Sequence, residues 1–339
     1  MKIFFSVTLV FLIACANLWA QATAQINGRV QDASGSVVPS AEVRATQTQT
    51  NVVRTTATEP DGSFVLINLP IGPYRLEVSK EGFATYVQSG IVLQVSSSPT
   101  VNVALQVGAV TQSVVVEASA AMVETRTSGV GQVVENQRIL ELPLNGRQVT
   151  DLITLAGAAV QTGTLSGHTG IAEARIGIAG GVPFGTDYRL DGANHLNFLT
   201  GVTMPIPFPD AAQEFKVETS GLSAQRGNSS SVEVVTRSGT NEFHGALFEF
   251  LRNDKASARQ YFAVTSSTLK RNQFGGIIGG PIRKDRLFFF GGFQGTTLRA
   301  DPADRIAFIP TEAMIRGDWT AFASPACNQG IQRTLRGPG

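Results

Sequence analysis

Side chains that commonly carry chemistry are scarce in this sequence. Its 339 residues hold three histidines, His168, His195 and His244, and two cysteines, Cys15 and Cys327. Metal or serine hydrolysis needs ligands or a nucleophile at fixed spacing, and no H-E-x-x-H, G-x-S-x-G or phosphate-binding G-x-x-x-x-G-K is present. Asp187, Asp191 and His195 have a spacing that would attract a metal, but Asp191 followed by Gly192 is first of all a turn former. The Gly-rich run 177–185 lacks the strand-to-helix setting that aims amides at an anion. Two cysteines exclude a disulfide framework and a multi-cysteine metal site. The expectation is a non-enzyme with no catalytic residue, no cofactor and no metal.

Charge adds another exclusion. Lys plus Arg number 27 against 26 for Asp plus Glu, a net charge of +1. No general field draws the chain to nucleic acid, so a partner must be recognised locally.

The elements that would position any site are mainly β. At the front, Lys2, an apolar run over 3–14 and the A-x-A triplet Ala22, Thr23, Ala24 read as a cleaved secretory signal peptide over 1–24. A competing reading takes Leu12 to Cys15 as a lipoprotein cleavage box with Cys15 lipidated. Beyond residue 24 no apolar stretch is long enough for a spanning helix, so a membrane-embedded mature chain must span as a barrel.

From 25 to 110, short alternating runs punctuated by turns predict a small sandwich, with strands over 25–31, 41–48, 52–58, 63–67, 72–79, 86–95 and 101–107. Asp61 with Gly62 is a strong hairpin signal. Phe64, Leu66, Tyr74, Leu76 and Val78 alternate with polar neighbours and should face the core. From about 119 to 239, helical and β signals mix. Asn136 is placed to cap a helix through Glu141, Pro143 to end it, and 149–155 to form another turn or two. Residues 157–185 read as loop and short strand. From 242 the pattern shifts to segments of about ten residues, 243–253, 272–282 and 286–295, the length of a tilted barrel strand. In the first, His244, Ala246, Phe248 and Phe250 share one face, expected to meet lipid, with Glu249 on the lumen side.

Three ordered sets of residues carry family resemblances. Gly28, Val30, Asp32, Gly35, Ala41 and Val43, followed by Thr58, Asp61, Gly62, Phe64, Leu69, Gly72, Tyr74, Leu76, Val78, Gly82 and Phe83, resemble the carboxypeptidase regulatory-like domain. That resemblance implies a seven-stranded, prealbumin-like sandwich of the carbohydrate-binding-like group, itself non-catalytic. Leu142, Pro143, Leu144, Asn145, Gly146 and Arg147, then 188–192, 213–217 and 232–241, resemble the plug of Oar-like TonB-dependent receptors. Gly279, Gly280, Pro281, Ile282, Asp285, Arg286, Phe288 and Phe289 resemble the opening of their barrel.

The resemblance implies an α+β plug within 111–241 and the first strands of an outer-membrane β-barrel over 242–339. It places the sandwich in the periplasm of an exported, outer-membrane protein in contact with outer-membrane lipid. Its implied partners are TonB with the inner-membrane energising complex and an extracellular ligand, carbohydrate or peptide among others. Receptors of this class carry an apolar extended box that pairs with TonB by strand addition, and Val114, Val115, Val116 and Glu117 fit it; the other reading is a last strand or linker of the sandwich. Plugged barrels have about 22 strands, whereas 96 residues run from His244 to Gly339. This stretch is expected to transport nothing alone. The competing function is an exported adhesion or carbohydrate-binding sandwich with a vestigial remainder. Recovery in the outer membrane or as a soluble product separates the two.

Overall fold

The computed structural model describes residues 23–108, 113–117 and 129–334, apart from 143, 145, 167–171, 198, 200–201, 223–227, 260, 262–267 and 301–308. Nearly all of the expected signal peptide, with Cys15, lies outside the described residues, as does His168. No described helix is long and apolar enough to cross a membrane, which says nothing of strands.

Alternation builds the first domain. Its strands are β1 (Thr23–Asp32), β2 (Glu42–Gln47), β3 (Val53–Ala57), β4 (Ser63–Pro70), β5 (Gly72–Ser79), β6 (Thr85–Leu93), β7 (Val103–Leu105) and β8 (Ser113–Glu117). They form two sheets, β4-β1-β7 and β3-β2-β5-β6-β8. Side chains alternate inward along β5 and the first part of β4, so Phe64, Leu66, Tyr74, Leu76 and Val78 are all buried in one apolar core with Ile26, Leu69, Ile91 and Leu105. Gly28 has a packing reason to lack a side chain: a Cβ there would strike the Val101 carbonyl and the Phe64 ring. Gly62 turns the β3–β4 connection at a positive φ of 75°, as the Asp61-Gly62 signal requires.

Two expectations change here. The resemblance implies seven strands, and the chain adds an eighth, because β8 pairs in parallel with β6 from Thr85↔Ser113 to Ser89↔Glu117. Also, Ala24 is 4% exposed and paired with Leu69 inside β1. Cleavage after Ala24 would therefore cut into the first strand of the sandwich.

The central domain is a mixed sheet covered by short helices. Its strands are β9 (Val130–Glu135), β10 (Ala159–Ser166), β11 (Ala172–Ile178), β12 (Thr186–Leu190), β13 (Ala193–Asn194), β14 (Leu196–Asn197), β15 (Val202–Thr203), β16 (Ala212–Ser220) and β17 (Ser230–Thr236). Five lie in the order β13-β12-β17-β16-β9, with β12 and β17 parallel. The helix Asn136–Glu141 and the 3-10 turns Val149–Ala156 press Ile139, Leu152 and Ile153 onto Phe215, Val217, Val232 and Val234. Asn136 is not the cap that the sequence suggests. Glu135 occupies that position without a side-chain bond, and Asn136 Nδ2 instead donates to the Ala212 carbonyl at 2.6 Å. Tertiary bonding has outcompeted capping. Residues 157–185, read as loop and short strand, hold the hairpin β10–β11.

Three longer strands follow, β18 (His244–Asn253), β19 (Leu269–Arg283) and β20 (Leu287–Ala300), hydrogen-bonded in the order β18-β19-β20. β19 and β20, at 15 and 14 residues, exceed the expected ten or so. A separate compact unit holds residues 251–272 and 297–339. Within it the Thr311 hydroxyl caps the helix Glu312–Ile315 by accepting from Met314 N, and Trp319 packs edge-on to Phe322.

Candidate functional site

The turn Gly146–Arg147 gathers contacts from three places in the chain. It sits where the segment after helix Asn136–Glu141 turns back, with Gly146 at φ 86° and Arg147 at φ 56°. A left-handed pair of this kind is cheap at glycine and strained at arginine. The turn delivers the guanidinium into the interior, where its side chain is 10% exposed and paired with Asp210, equally buried. Over the other side of the same group lie Phe248 and Phe250 of β18, with ring centroids 4.7 and 4.1 Å from Cζ. Phe208 packs on Phe248 at 5.6 Å. The Gly146 carbonyl accepts from Gln273 Nε2 of β19 at 3.0 Å. The central domain is thus fastened to two strands of the long sheet by two cation–π contacts and a hydrogen bond, with the guanidinium held in place by an ion pair inside the central domain.

Burial is the largest influence on Arg147 and pushes its pKa down, while Asp210 opposes that shift. The guanidinium stays charged at any physiological pH. Removing one member of such a pair leaves the other as an uncompensated buried charge.

Arg147 also inverts the expected orientation of β18. Phe248 and Phe250 meet the central domain, and Leu247 stands on the opposite face, 92% exposed, with Glu249 beside it. His244 follows the same parity, stacking on Phe290 of β20. The alternation is correct, but the face expected to meet lipid is the one that meets Arg147; both faces carry large apolar groups, and the partner lies about a hundred residues upstream.

On the face away from the central domain the long sheet is almost wholly apolar. Phe243, Leu247, Phe274, Ile278, Ile282 and Phe293 are all exposed, at 41–92%. Glycines lie between them: a Cβ on Gly280 would enter the Phe243 ring, one on Gly276 the Leu247 side chain, and one on Gly295 the Phe274 ring. Without a side chain at Gly280, Phe243 and Phe289 approach to 6.3 Å between centroids, and Phe274 and Phe293 lie 6.4 Å apart. Such an exposed surface is costly in water and suits contact with another apolar phase.

The motif residues of the sequence reading are placed as follows. Leu142 and Leu144 pack against the central core, whereas Pro143 and Asn145 lie outside the described residues. Asp191 is in the turn proposed for it, at φ 52° beside Gly192, and its carboxylate accepts from Thr236 N and Oγ1 at 2.8 and 2.9 Å. Asp187 pairs with Arg189, and His195 Nε2 lies 2.9 Å from the Pro205 carbonyl. The three groups spaced for a metal thus have separate partners. Asp210 and Phe208, part of the Arg147 site, carry no periodic or motif signal that would have singled them out.

Val114, Val115, Val116 and Glu117 form β8, which ends the five-stranded sheet and is paired on one side only among the described residues. Val115 is exposed. A terminal strand of this kind presents a row of backbone donors and acceptors to an incoming strand.

Comparison with known proteins agrees with this layout. Residues 25–106 match the carboxypeptidase regulatory-like domain, and residues 235–337 match an outer membrane beta barrel domain. Over 291 residues the chain is 29% identical to the TonB-dependent transporter Oar of Myxococcus xanthus, covering 81% of this chain and 27% of that protein. The chain is thus similar, over most of its length, to a TonB-dependent transporter. It spans about a quarter of the length of that relative. Among solved structures, the siderophore receptor PirA of Acinetobacter baumannii is similar at 18% identity and a TM-score of 0.39, over 56% of this chain and 27% of that one. A hydroxyquinol 1,2-dioxygenase of Pseudomonas putida is similar at 11% identity and a TM-score of 0.22, over 26% of this chain and 57% of that one. At these scores neither likeness bears on function.

Proposed function

We propose that this Oar-like chain supplies the periplasmic sandwich, the plug and the opening barrel strands of a TonB-dependent outer-membrane receptor. The observation that carries the reading is the two-sidedness of the long sheet. One face holds the central domain through Arg147, and the other is apolar side chains and glycine. A plug within a barrel wall bounded by lipid has this arrangement. Export through the signal peptide delivers the chain, and the sandwich remains in the periplasm.

Energy coupling enters at β8. TonB, driven by the inner-membrane complex, adds a strand to the free edge of Val114 to Glu117 and pulls toward the plug that follows in the chain. The ligand is extracellular and of a class that these residues leave open.

The test uses two prolines, because successive N–H groups in a strand point to opposite sides. Val114→Pro and Val115→Pro each remove a donor, and one of the two strikes the outer edge. With a photo-crosslinker at Ser113, one variant should lose capture of the TonB periplasmic domain at least tenfold. Full capture by both would contradict pairing at β8. Fractionation tests location separately: the chain should appear in the outer membrane, and a wholly soluble product would overturn the receptor reading.

A further inference from the structure

Two turns leave one end of the sandwich, and each grips a different part of the chain. Register sets them side by side. In the five-stranded sheet Gln47 of β2 faces Tyr74 of β5, and Gly72 of β5 faces Leu93 of β6. The turn after β2 (48–52) and the turn after β6 (94–97) therefore project from the same end. The turn after β6 enters the central domain. Val95 is fully buried against Val235 and Ile71. Its N–H donates to Glu214 Oε2 at 2.8 Å, and its carbonyl accepts from Lys216 Nζ at 3.3 Å. Beside it, Ser96 Oγ donates to Glu233 Oε2 at 3.0 Å and Gln94 Nε2 to Glu135 Oε1 at 3.1 Å.

The turn after β2 goes elsewhere. It is held in shape by the buried Gln47, whose Oε1 accepts from Gln49 N, Thr50 N and Thr50 Oγ1 at 2.6–2.9 Å. So shaped, it offers the Gln49 carbonyl to Asn241 N at 2.9 Å and Asn51 Nδ2 to Asp285 Oδ1 at 2.8 Å. Asp285 lies in the turn between β19 and β20, and Asn241 in the link from the central sheet to β18. These two are clasped to each other as well. Asn241 Nδ2 donates to Asp285 Oδ1 at 2.8 Å, and Asp285 N donates to Asn241 Oδ1 at 2.8 Å. Just upstream, a Cβ on Gly239 would strike the Phe289 and Gly280 carbonyls, so the link crosses the base of the hairpin closely. The sequence motifs single out Asn241 and Asp285, and neither the central core nor the long sheet uses their side chains.

We propose that the sandwich is a two-point clamp, with the Val95 turn seated on the central domain and the Asn51 turn on the Asn241–Asp285 clasp of the β19–β20 hairpin. While both anchors hold, the central domain cannot move away from the hairpin at this end. The anchors differ in kind. The first buries an apolar side chain, whereas the second is polar and reached by water, where a single hydrogen bond contributes little. A rigid body seated at one anchor presents the other at high effective concentration, so each strengthens its partner. The apolar core between the two sheets supplies that rigidity. Calling the central domain a plug and the hairpin a barrel wall rests on the proposed function, and on that reading the clamp ties plug to wall at the periplasmic end. It does not require TonB to bind β8.

Each anchor owns a backbone amide that donates across the joint, Val95 at one and Asn241 at the other. Hydrogen exchange in the whole purified chain in detergent, corrected for the intrinsic rate, therefore reads both. Asn51 and Ser96 sit at φ 57° and 55°, so Asn51→Gly and Ser96→Gly delete the side-chain contacts and keep the left-handed turns. Asn51→Gly should lower protection of Asn241 about three- to tenfold, the change expected of one lost hydrogen bond, and that of Val95 at least twofold. Ser96→Gly should do the converse, and Asp285→Gly should repeat the Asn51→Gly pattern from the hairpin side. Val78 in β5 and Val232 in β17, on strands paired along both edges, should stay level in all three. An unchanged Asn241 amide in Asn51→Gly, losses confined to the mutated anchor, or Val78 or Val232 falling in parallel would each overturn the clamp. The receptor reading fails separately: a wholly soluble chain with coupled losses would overturn that reading and support the clamp, and a membrane-bound chain with uncoupled losses would do the reverse.

Discussion

The sandwich and the central domain solve the same packing problem with different materials. The sandwich core is apolar side chains from two sheets, and its buried polar residues, Asn27, Gln47, Thr58 and Ser98, are all uncharged. The central domain buries four carboxylates, Asp187, Asp210, Glu214 and Glu233, under a smaller apolar core. Apolar cores resist rearrangement because every shift opens a void. Buried ion pairs contribute little net stability but constrain geometry strongly, and they fail as units when a partner leaves. The sandwich is thus built to stay rigid, and the central domain to change shape when one contact is broken.

Breaking the Arg147 pair should have the largest consequence. Arg147→Ala leaves Asp210 buried without its cation and should cost about 3–5 kcal/mol, measured by urea unfolding followed in the central domain. Adding Asp210→Asn should recover much of that loss. If the single variant costs under about 1 kcal/mol, the pair does not hold the Arg147 turn in the central domain.

The matching change in the sandwich is Leu76→Ala, which deletes a fully buried side chain and should cost about 2–5 kcal/mol. The two regions should then differ in kind. Leu76→Ala should lower exchange protection across both sandwich sheets, whereas Arg147→Ala should expose β18 and the 144–147 turn and leave the sandwich protected. Equal loss everywhere in both variants would erase the contrast.

Gly280→Val sharpens the comparison on the long sheet. The new Cβ would displace the Phe243 ring, and overpacking of this kind costs about 1–3 kcal/mol. Smallest is Asn136→Ala, which removes one hydrogen bond to Ala212 and should cost about 0.5–1.5 kcal/mol in the same urea assay. A loss above about 2 kcal/mol would assign Asn136 more than this one bond.

The sandwich was legible because its signals are local. Alternation of Phe64 with Leu66, and of Tyr74 with Leu76 and Val78, states both strand and inner face, and Asp61-Gly62 states the turn. The central domain was legible in its boundaries and less so in its contacts. Asn136 had the residue type and position of a cap, but a carbonyl 76 residues away took its side chain. β8 read equally well as linker or strand, since its partner β6 lies some thirty residues back in a parallel pairing that no local turn announces. β18 shows the limit most plainly. Alternation divides Phe248 and Phe250 from Leu247 correctly, but when both faces are apolar, only a long-range partner such as Arg147 tells inside from outside.

The orientation of that strand is the most direct test of the account. In a background with both native cysteines replaced, Cys15→Ser and Cys327→Ser, single cysteines at Leu247 and Phe250 can each carry an environment-sensitive fluorophore in the chain reconstituted with brominated phospholipid. The account predicts strong quenching of the label at 247 and little at 250. Quenching at 250 in preference to 247, or at neither, would contradict a central domain held on the inner face of a membrane wall.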